Sequence, residues 1–221
     1  DNNTYLELQA VPIKYLDSYK ISTITYEKDN EVKESELSLK LNVSFYKEIY
    51  TYEDWQNIDE NSYENYMLMQ DIDFNGKTNI KYNLRINRLI SEGKSLKNIN
   101  LTSKQAYFGF IKQIKGELSG IIFDNIIITS SASGSNVGIV LFSNATISNI
   151  EFRNISLDAK NIGFVAPICS SLNQIENVKI YDIEILGKNY VGGLVSKINQ
   201  VGTINQVEGS TININAGTYV G

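Results

Sequence analysis

A glycine recurs at nearly constant intervals through the second half of this chain. The copies are 29, 25, 29 and 29 residues apart and stand at Gly109, Gly138, Gly163, Gly192 and Gly221. Apolar residues flank them, as in Asn-Val-Gly-Ile-Val and Tyr-Val-Gly-Gly-Leu-Val. A fixed period of this length indicates one supersecondary unit copied along an axis, which predicts a protein of stacked coils.

A finer pattern runs between the glycines. Segments that start at Leu118, Ile147, Ile175 and Ile204 align without gaps, with apolar residues at offsets 0, 3, 5, 8 and 10; Gly209 is the exception. Short strands of period two give this spacing when the chain turns a corner between them. Residues that suit bends occupy the corner offsets, among them Asn149, Asn154, Asn177 and Asp182. We therefore predict an all-β fold, a right-handed parallel β-helix with aliphatic ladders inside and polar corners outside.

Three parts are predicted along the chain. Residues 1–48 lack the repeat and alternate between apolar and polar, which predicts a small antiparallel β module. Residues 49–95 are predicted to hold a capping helix after Thr51 and the initial strands. Residues 96–221 are predicted as coils, the first starting at Leu96 with its last apolar columns lost. The predicted strands before the coils are Tyr5–Val11, Tyr19–Tyr26, Leu37–Phe45, Tyr66–Gln70 and Asp71–Phe74.

Composition excludes several function classes. The net charge is −5, from 20 Lys and Arg against 25 Asp and Glu, and no basic stripe is present, so nucleic acid is not an expected partner. No apolar run reaches the roughly 18–20 residues of a membrane span, so no membrane insertion is expected. The chain has no histidine, which removes zinc sites of the His-Glu-x-x-His type and imidazole-dependent triads. Cys169, the single cysteine, is interpreted as a buried thiol, so no catalytic residue and no cofactor are expected in this chain.

One segment resembles part of a calcium loop. Asp71, Asp73 and Asn75, followed by Gly76, match the start of the pattern Asp-x-Asp-x-Asn-Gly, in which alternating oxygen ligands wrap a hard cation. The twelfth position of such a loop should supply a bidentate glutamate, and here it is Tyr82. A simple turn between strands explains the same residues, so both interpretations stay open.

Aromatic residues stand beside the repeat glycines. Tyr107, Tyr190 and Tyr219 each precede a glycine by two residues, and stacked coils are expected to bring them into a ladder. Such a ladder has a structural interpretation and an alternative one as a surface that binds protein or glycan. The acidic residues of the repeats, by contrast, do not fall in one column, which disfavours a carbohydrate-cleaving site.

The glycine strings resemble the Gly-Leu-hydrophobic-Gly (GLUG) repeat of bacterial surface proteins, as in Val191-Gly192-Gly193-Leu194-Val195. Together with Tyr52-Glu-Asp-Trp55 and the segment Tyr66–Phe74, they make residues 50–221 similar to the N-terminal region of the immunoglobulin A-specific zinc metallopeptidases of Gram-positive bacteria. The resemblance implies a β module, a β-helix and then a downstream catalytic domain that binds zinc. The zinc motif itself cannot be transferred to this chain, which has no histidine to receive it.

What the resemblance implies is a non-catalytic module of a secreted or wall-attached metallopeptidase. It would position the catalytic domain and contact a protein substrate such as an immunoglobulin. The chain starts without Met and stops within a repeat, so we expect a piece of a longer protein. Two alternatives remain: a GLUG-repeat adhesin that binds host glycan or matrix protein, and a β-helix enzyme that acts on polysaccharide. Oligomeric state is left open.

Overall fold

A computed structural model describes residues 18–28, 31–42, 46–159, 162–171, 173–198 and 202–220. Contacts divide the chain into two compact units, Asp1–Phe45 and Tyr46–Gly221. The described elements are β1 (Ser18–Lys28), β2 (Glu31–Asn42), β3 (Lys47–Ile49), α1 (Tyr52–Gln56), β4 (Asn65–Leu68), β5 (Ile72–Asp73), β6 (Leu84–Ser103), β7 (Tyr107–Ser130), β8 (Gly134–Ser143), β9 (Thr146–Ala159), β10 (Ile162–Val165), β11 (Ile175–Gly187), β12 (Tyr190–Val191), β13 (Ile204–Asn215) and β14 (Tyr219–Val220).

The first unit contains an antiparallel strand pair. β1 and β2 run from Ser18 opposite Asn42 to Lys28 opposite Glu31, with one register shift between Ile21 and Thr23. The strand predicted at Tyr19–Tyr26 corresponds to β1, and β2 covers the predicted strand as far as Asn42. The predicted strand Tyr5–Val11 lies outside the described residues.

The second unit is a parallel β-solenoid of about five turns. Within the described residues, β3 to β14 belong to one sheet system in which the strands of neighbouring turns pair in parallel, for example β7 with β9, β9 with β11, and β11 with β13. The predicted all-β parallel β-helix is therefore confirmed. Its right-handed sense stays a prediction, although parallel crossover connections almost always take that hand.

The predicted aliphatic columns form the core. Ile147, Ile150, Ile155 and Leu157 of β9 lie opposite Ile175, Val178, Ile183 and Ile185 of β11, and all eight are buried. The same columns continue backwards to β7 and forwards to β13. Each rung thus covers the apolar face of the rung before it, which is how a repeat that cannot bury its own core becomes stable.

The corners are built as the sequence predicts. Asn149, Asn154, Asn177 and Asp182 have φ of 54°, 54°, 49° and 54°, in the left-handed region. The amides of Asn154 and Asn177 also link neighbouring turns, since Nδ2 of Asn177 donates to Oδ1 of Asn149 at 2.6 Å and Nδ2 of Asn154 donates to Oδ1 of Asp124 at 2.9 Å. Asparagine suits these positions because it tolerates a left-handed backbone and its side-chain amide hydrogen-bonds to the preceding turn.

The coils begin earlier than predicted. β3 and β4 pair in parallel, and β4 pairs with β6 through Tyr66 opposite Leu89, so the predicted segment 49–95 is already part of the stack. The predicted position of Leu96 as the first residue of its coil is also wrong. Leu96 lies opposite Phe123, at offset 5, and its coil begins at Leu89 opposite Leu118. A register shift between Ile90 and Lys94 lengthens this corner, which is why a gapless alignment misplaces the coil; its last columns are present as Ile99 and Leu101.

The predicted helix closes the first turns. Thr51 is its N-cap, and a capping box joins the Thr51 hydroxyl and the Asp54 carboxylate to each other's backbone N–H groups. The helix places Trp55 in the core, fully buried, with its Nε1 donating to the carbonyl of Lys81 at 3.3 Å. A five-residue helix has little stability alone, so this packing holds it in place.

Candidate functional site: an aromatic surface beside the glycine column

The glycine column is a place of close backbone approach. Gly109 lies opposite Gly138, and a Cβ on Gly138 would stand 2.1 Å from the carbonyl oxygen of Ala166. A Cβ on Gly192 would stand 2.0 Å from the carbonyl oxygen of Val195. No side chain fits at those distances, so glycine is required there by space.

One predicted member of this column is misplaced. Val165 lies opposite Val137 on one side and Val191 on the other, so Ala166 is the residue level with Gly138 and Gly192. Gly163 lies three residues earlier and is outside the column. This explains the irregular interval of 25 residues, because Ala166 restores intervals of 28 and 26. Gly221 lies outside the described residues.

The predicted tyrosine ladder is only partly formed. In backbone register, successive turns place Tyr107, Asn136, Phe164, Tyr190 and Tyr219 at one level. Asn136 therefore separates Tyr107 from the later aromatic residues. The rings of Phe164 and Tyr190 stack with centroids 4.7 Å apart and planes at 12°, whereas the side chain of Tyr219 is not described.

We use "aromatic surface" for Tyr107, Phe142, Phe164 and Tyr190. Tyr107 and Tyr190 are 46% and 42% exposed, and Phe142 contacts Tyr107 with ring centroids 6.0 Å apart. Nζ of Lys197 lies 5.9 Å from the centre of the Phe164 ring. The rings stand on strands whose backbones are fixed by parallel pairing, so they present a preorganised apolar area with polar tips.

Phe142 and Phe164 are members that the sequence argument missed. For Phe164 the signal was present, because the repeated unit is an aromatic or Asn residue, then an apolar residue, then Gly or Ala: Tyr107-Phe108-Gly109, Asn136-Val137-Gly138, Phe164-Val165-Ala166 and Tyr190-Val191-Gly192. Aligning on glycine alone hides this unit. The aligned residues Ile147 and Ile175 are 28 residues apart, and the same interval leads from Gly138 to Ala166.

The calcium candidates lie in the structure as corner and strand residues. Oδ1 of Asp71 accepts from the N–H of Ser95 at 2.8 Å, and Oδ1 of Asp73 accepts from Nδ2 of Asn98 at 2.7 Å and from the N–H of Asn75 at 2.9 Å. Asp73 thereby starts an amide ladder, since Asn98 in turn accepts from Asn125. The calcium hypothesis stays a prediction; a calcium-dependent rise in melting temperature that Asp73→Asn abolishes would support it.

Cys169 and the acidic side chains are the described groups to consider for nucleophilic or metal chemistry. Burial raises the pKa of the Cys169 thiol to about 12, and its Sγ lies 3.0 Å from the carbonyl oxygen of Val137. A thiol in that state is a poor nucleophile. No group of three or more Cys, Asp or Glu side chains suited to a metal ion occurs in the described parts of the chain. Arg153 forms ion pairs with two acidic side chains, Asp124 at 3.3 Å and Glu151 at 3.5 Å.

The chain matches no protein-family model, and no curated protein or solved structure matches it significantly. In the described ranges, no helix is long and apolar enough to cross a bilayer.

Proposed function

We propose that this chain is a non-catalytic recognition module that binds a large protein through its aromatic surface. The observation that carries the proposal is the pair of exposed tyrosines, Tyr107 and Tyr190, each packed against a phenylalanine on the parallel solenoid. Aromatic side chains with few rotatable bonds lose little entropy on binding and dominate the energetics of protein interfaces. The resemblance to immunoglobulin A-specific zinc metallopeptidases supplies the candidate parent and substrate: a secreted or wall-attached protease of a Gram-positive bacterium, with zinc in a downstream domain, and an immunoglobulin.

In this role the chain contributes binding energy and orientation. A substrate held on a fixed surface meets a neighbouring catalytic domain at a raised effective concentration. The predicted work of the module is therefore to lower the dissociation constant of the substrate without any step of bond breaking.

Binding of immunoglobulin A to the immobilised chain tests the proposal. Tyr107→Ser and Tyr190→Ser are expected to weaken binding by about tenfold or more each, because a buried aromatic anchor contributes above about 1–2 kcal/mol. Tyr50→Ser is the matched control, since Tyr50 is 40% exposed but lies next to the capping helix. Absence of binding by the wild-type chain, or equal losses in all three variants, would contradict the proposal.

A second candidate is a surface adhesin for host glycan. Tyr190 favours it, because its ring is 42% exposed and sugar rings pack their C–H faces on exposed aromatic groups. Enzymatic deglycosylation of the immunoglobulin separates the two candidates. Binding that survives deglycosylation supports protein recognition, and binding that disappears supports glycan recognition.

A further inference from the structure

A polar cleft lies beside the end of α1, between the segments that precede β6 and β7. It has a volume of about 580 Å³, within the range of about 300–1,000 Å³ that is usual for small-molecule sites. Beside Gln56 of the helix, its lining consists of the side chains of Glu60, Asn79, Lys81, Tyr82, Asn83 and Gln105. All of these residues lie within the first turns of the solenoid, between positions 56 and 105.

Hydrogen bonds hold the walls of this cleft in place. Nε2 of Gln56 donates to the carbonyl of Asn79 at 2.8 Å, and Oε1 of Gln56 accepts from the N–H of Lys81 at 2.9 Å. On the other side, Nδ2 of Asn83 donates to Oε1 of Gln105 at 3.0 Å. Asn79 and Asn83 have φ of 59° and 56°, so the wall between them is bent at both ends. A ligand that enters a cleft held in this way does not have to order its walls.

Several polar groups of the lining are not used within the protein. Nζ of Lys81 donates to the carbonyls of Gln56 at 3.0 Å and Ile58 at 2.6 Å, which leaves one of its three N–H groups. Among the residues that the structure describes, the Glu60 carboxylate, the Tyr82 hydroxyl and Nε2 of Gln105 have no hydrogen-bond or ion-pair partner. The lining therefore offers both unused donors and unused acceptors.

This lining restricts the chemistry of the ligand. Lys81 and Glu60 are its charged residues and carry opposite charges, so a phosphate or another strong anion would meet one remaining N–H group and a carboxylate. In the described parts of the chain, no group of acidic side chains suited to a metal ion is present. An apolar ligand would leave the polar groups unpaired. A neutral molecule with several hydroxyl groups fits best, because each hydroxyl can both donate and accept.

We propose that this cleft binds a neutral sugar, either free or at the end of a glycan. The carboxylate of Glu60 accepts from the sugar hydroxyls, and Nζ of Lys81 and Nε2 of Gln105 donate to them. Tyr82 supplies an aromatic wall for the C–H groups of the sugar, and its ring is held by edge-on contact with Phe108 at a centroid distance of 5.1 Å. The inference goes beyond the proposed function, because the cleft is lined by none of the residues of the aromatic surface.

Titration of the 221-residue chain with sugars, followed by amide chemical shifts, tests the proposal. The probes are the methyl glycosides of glucose, galactose, mannose and N-acetylglucosamine, with glucuronate and inorganic phosphate for comparison. We expect at least one neutral sugar to bind with a Kd on the order of 1 mM and to shift the amides of residues 56–60, 79–83 and 105. Saturation by none of the neutral sugars, tighter binding of glucuronate or phosphate, or shifts at the aromatic surface in place of the cleft would overturn it. Immunoglobulin is absent from this titration, so its outcome is separate from that of the proposed function.

Two variants locate the sugar in the cleft. Glu60→Ala and Gln105→Ala are each expected to raise the Kd by about three- to tenfold, because each removes a hydrogen-bonding group. Both residues are exposed, and an unchanged melting temperature shows that the variants remain folded. The matched controls are Glu92→Ala and Gln70→Ala, since both residues are also exposed but lie outside the lining. Wild-type affinity in both cleft variants, or equal losses in the controls, would overturn the proposal.

Discussion

The indole of Trp55 stacks on the ring of Phe110, with centroids 4.6 Å apart and planes at 5°. Phe74 meets both rings edge-on, at 5.9 Å and 5.7 Å. This cluster joins the capping helix to two turns of the solenoid. The helix is therefore held on the core of the first turns by aromatic packing.

Trp55→Ala is expected to lower the free energy of unfolding by about 3–5 kcal/mol, because it leaves a cavity next to two aromatic rings. The measurement is urea denaturation followed by circular dichroism, since Trp55 is the only tryptophan and the variant loses its fluorescence. Tyr50→Ala, at an exposed neighbouring position, is expected to change stability by under about 0.5 kcal/mol. A loss below about 1 kcal/mol for Trp55→Ala would contradict the capping role.

The left-handed corners predict opposite effects at two sites. Asn177→Val is expected to destabilise by about 1–3 kcal/mol, because a β-branched residue is strained at φ of 49° and the amide bond to Asn149 is lost. At Thr211 a β-branched residue already has φ of 54°. Thr211→Asn is therefore expected to raise the melting temperature. Thermal unfolding of the two variants is the measurement. A melting temperature that does not fall in Asn177→Val, or that does not rise in Thr211→Asn, would contradict the left-handed corners.

Gly138 is expected to tolerate no side chain. Gly138→Ala places a Cβ against the carbonyl of Ala166, so it should reduce the free energy of unfolding by several kcal/mol or prevent folding. Gly193→Ala is the control, since its nearest neighbour would be a side-chain atom, Cγ2 of Ile212, at 3.2 Å. Thermal unfolding compares the two. Similar melting temperatures would show that the glycine column is not a site of close approach.

Two carboxyl groups predict a loss of stability in acid. The N–H of Ser95 lowers the pKa of Asp71, and the Asn98 amide lowers the pKa of Asp73. A carboxyl with a lower pKa in the folded chain favours folding above its unfolded pKa of about 3.9, and this contribution disappears as pH falls through the folded pKa. Asp71→Asn and Asp73→Asn should each reduce the change in urea midpoint between pH 5 and pH 3. Glu92→Gln, at an exposed site, serves as control; an unchanged pH profile in both aspartate variants would contradict the prediction.

The sequence predicts this fold well where side-chain pattern alone decides it. The aliphatic columns and the Asn corners follow from residue spacing, and the structure confirms both from Leu118 onwards. Gly163 was misassigned because the backbone requires a small residue at that level, which Ala166 also provides. The long corner before Lys94 was missed because the extra residues of a corner do not change the pattern of apolar residues on either side of it.

The aromatic contacts were less accessible to sequence reasoning. The Phe164 and Tyr190 rings meet only because the turns between them have particular lengths. Trp55 and Phe110 are brought together by the coil path across 55 residues. Contacts of this kind depend on how neighbouring coils line up in space, which local propensity does not encode.

The register of neighbouring coils is tested most directly by a designed disulfide. Ser148 lies opposite Glu176, and adjacent strands are about 4.8 Å apart, within the Cα separation that a disulfide allows. Ser148→Cys with Glu176→Cys is expected to form an intramolecular disulfide on oxidation, detected by mass spectrometry after proteolysis. Ser148→Cys with Lys179→Cys, displaced by three residues, is expected to remain reduced. Cross-linking of the displaced pair in place of the aligned pair would contradict the stacked parallel coil.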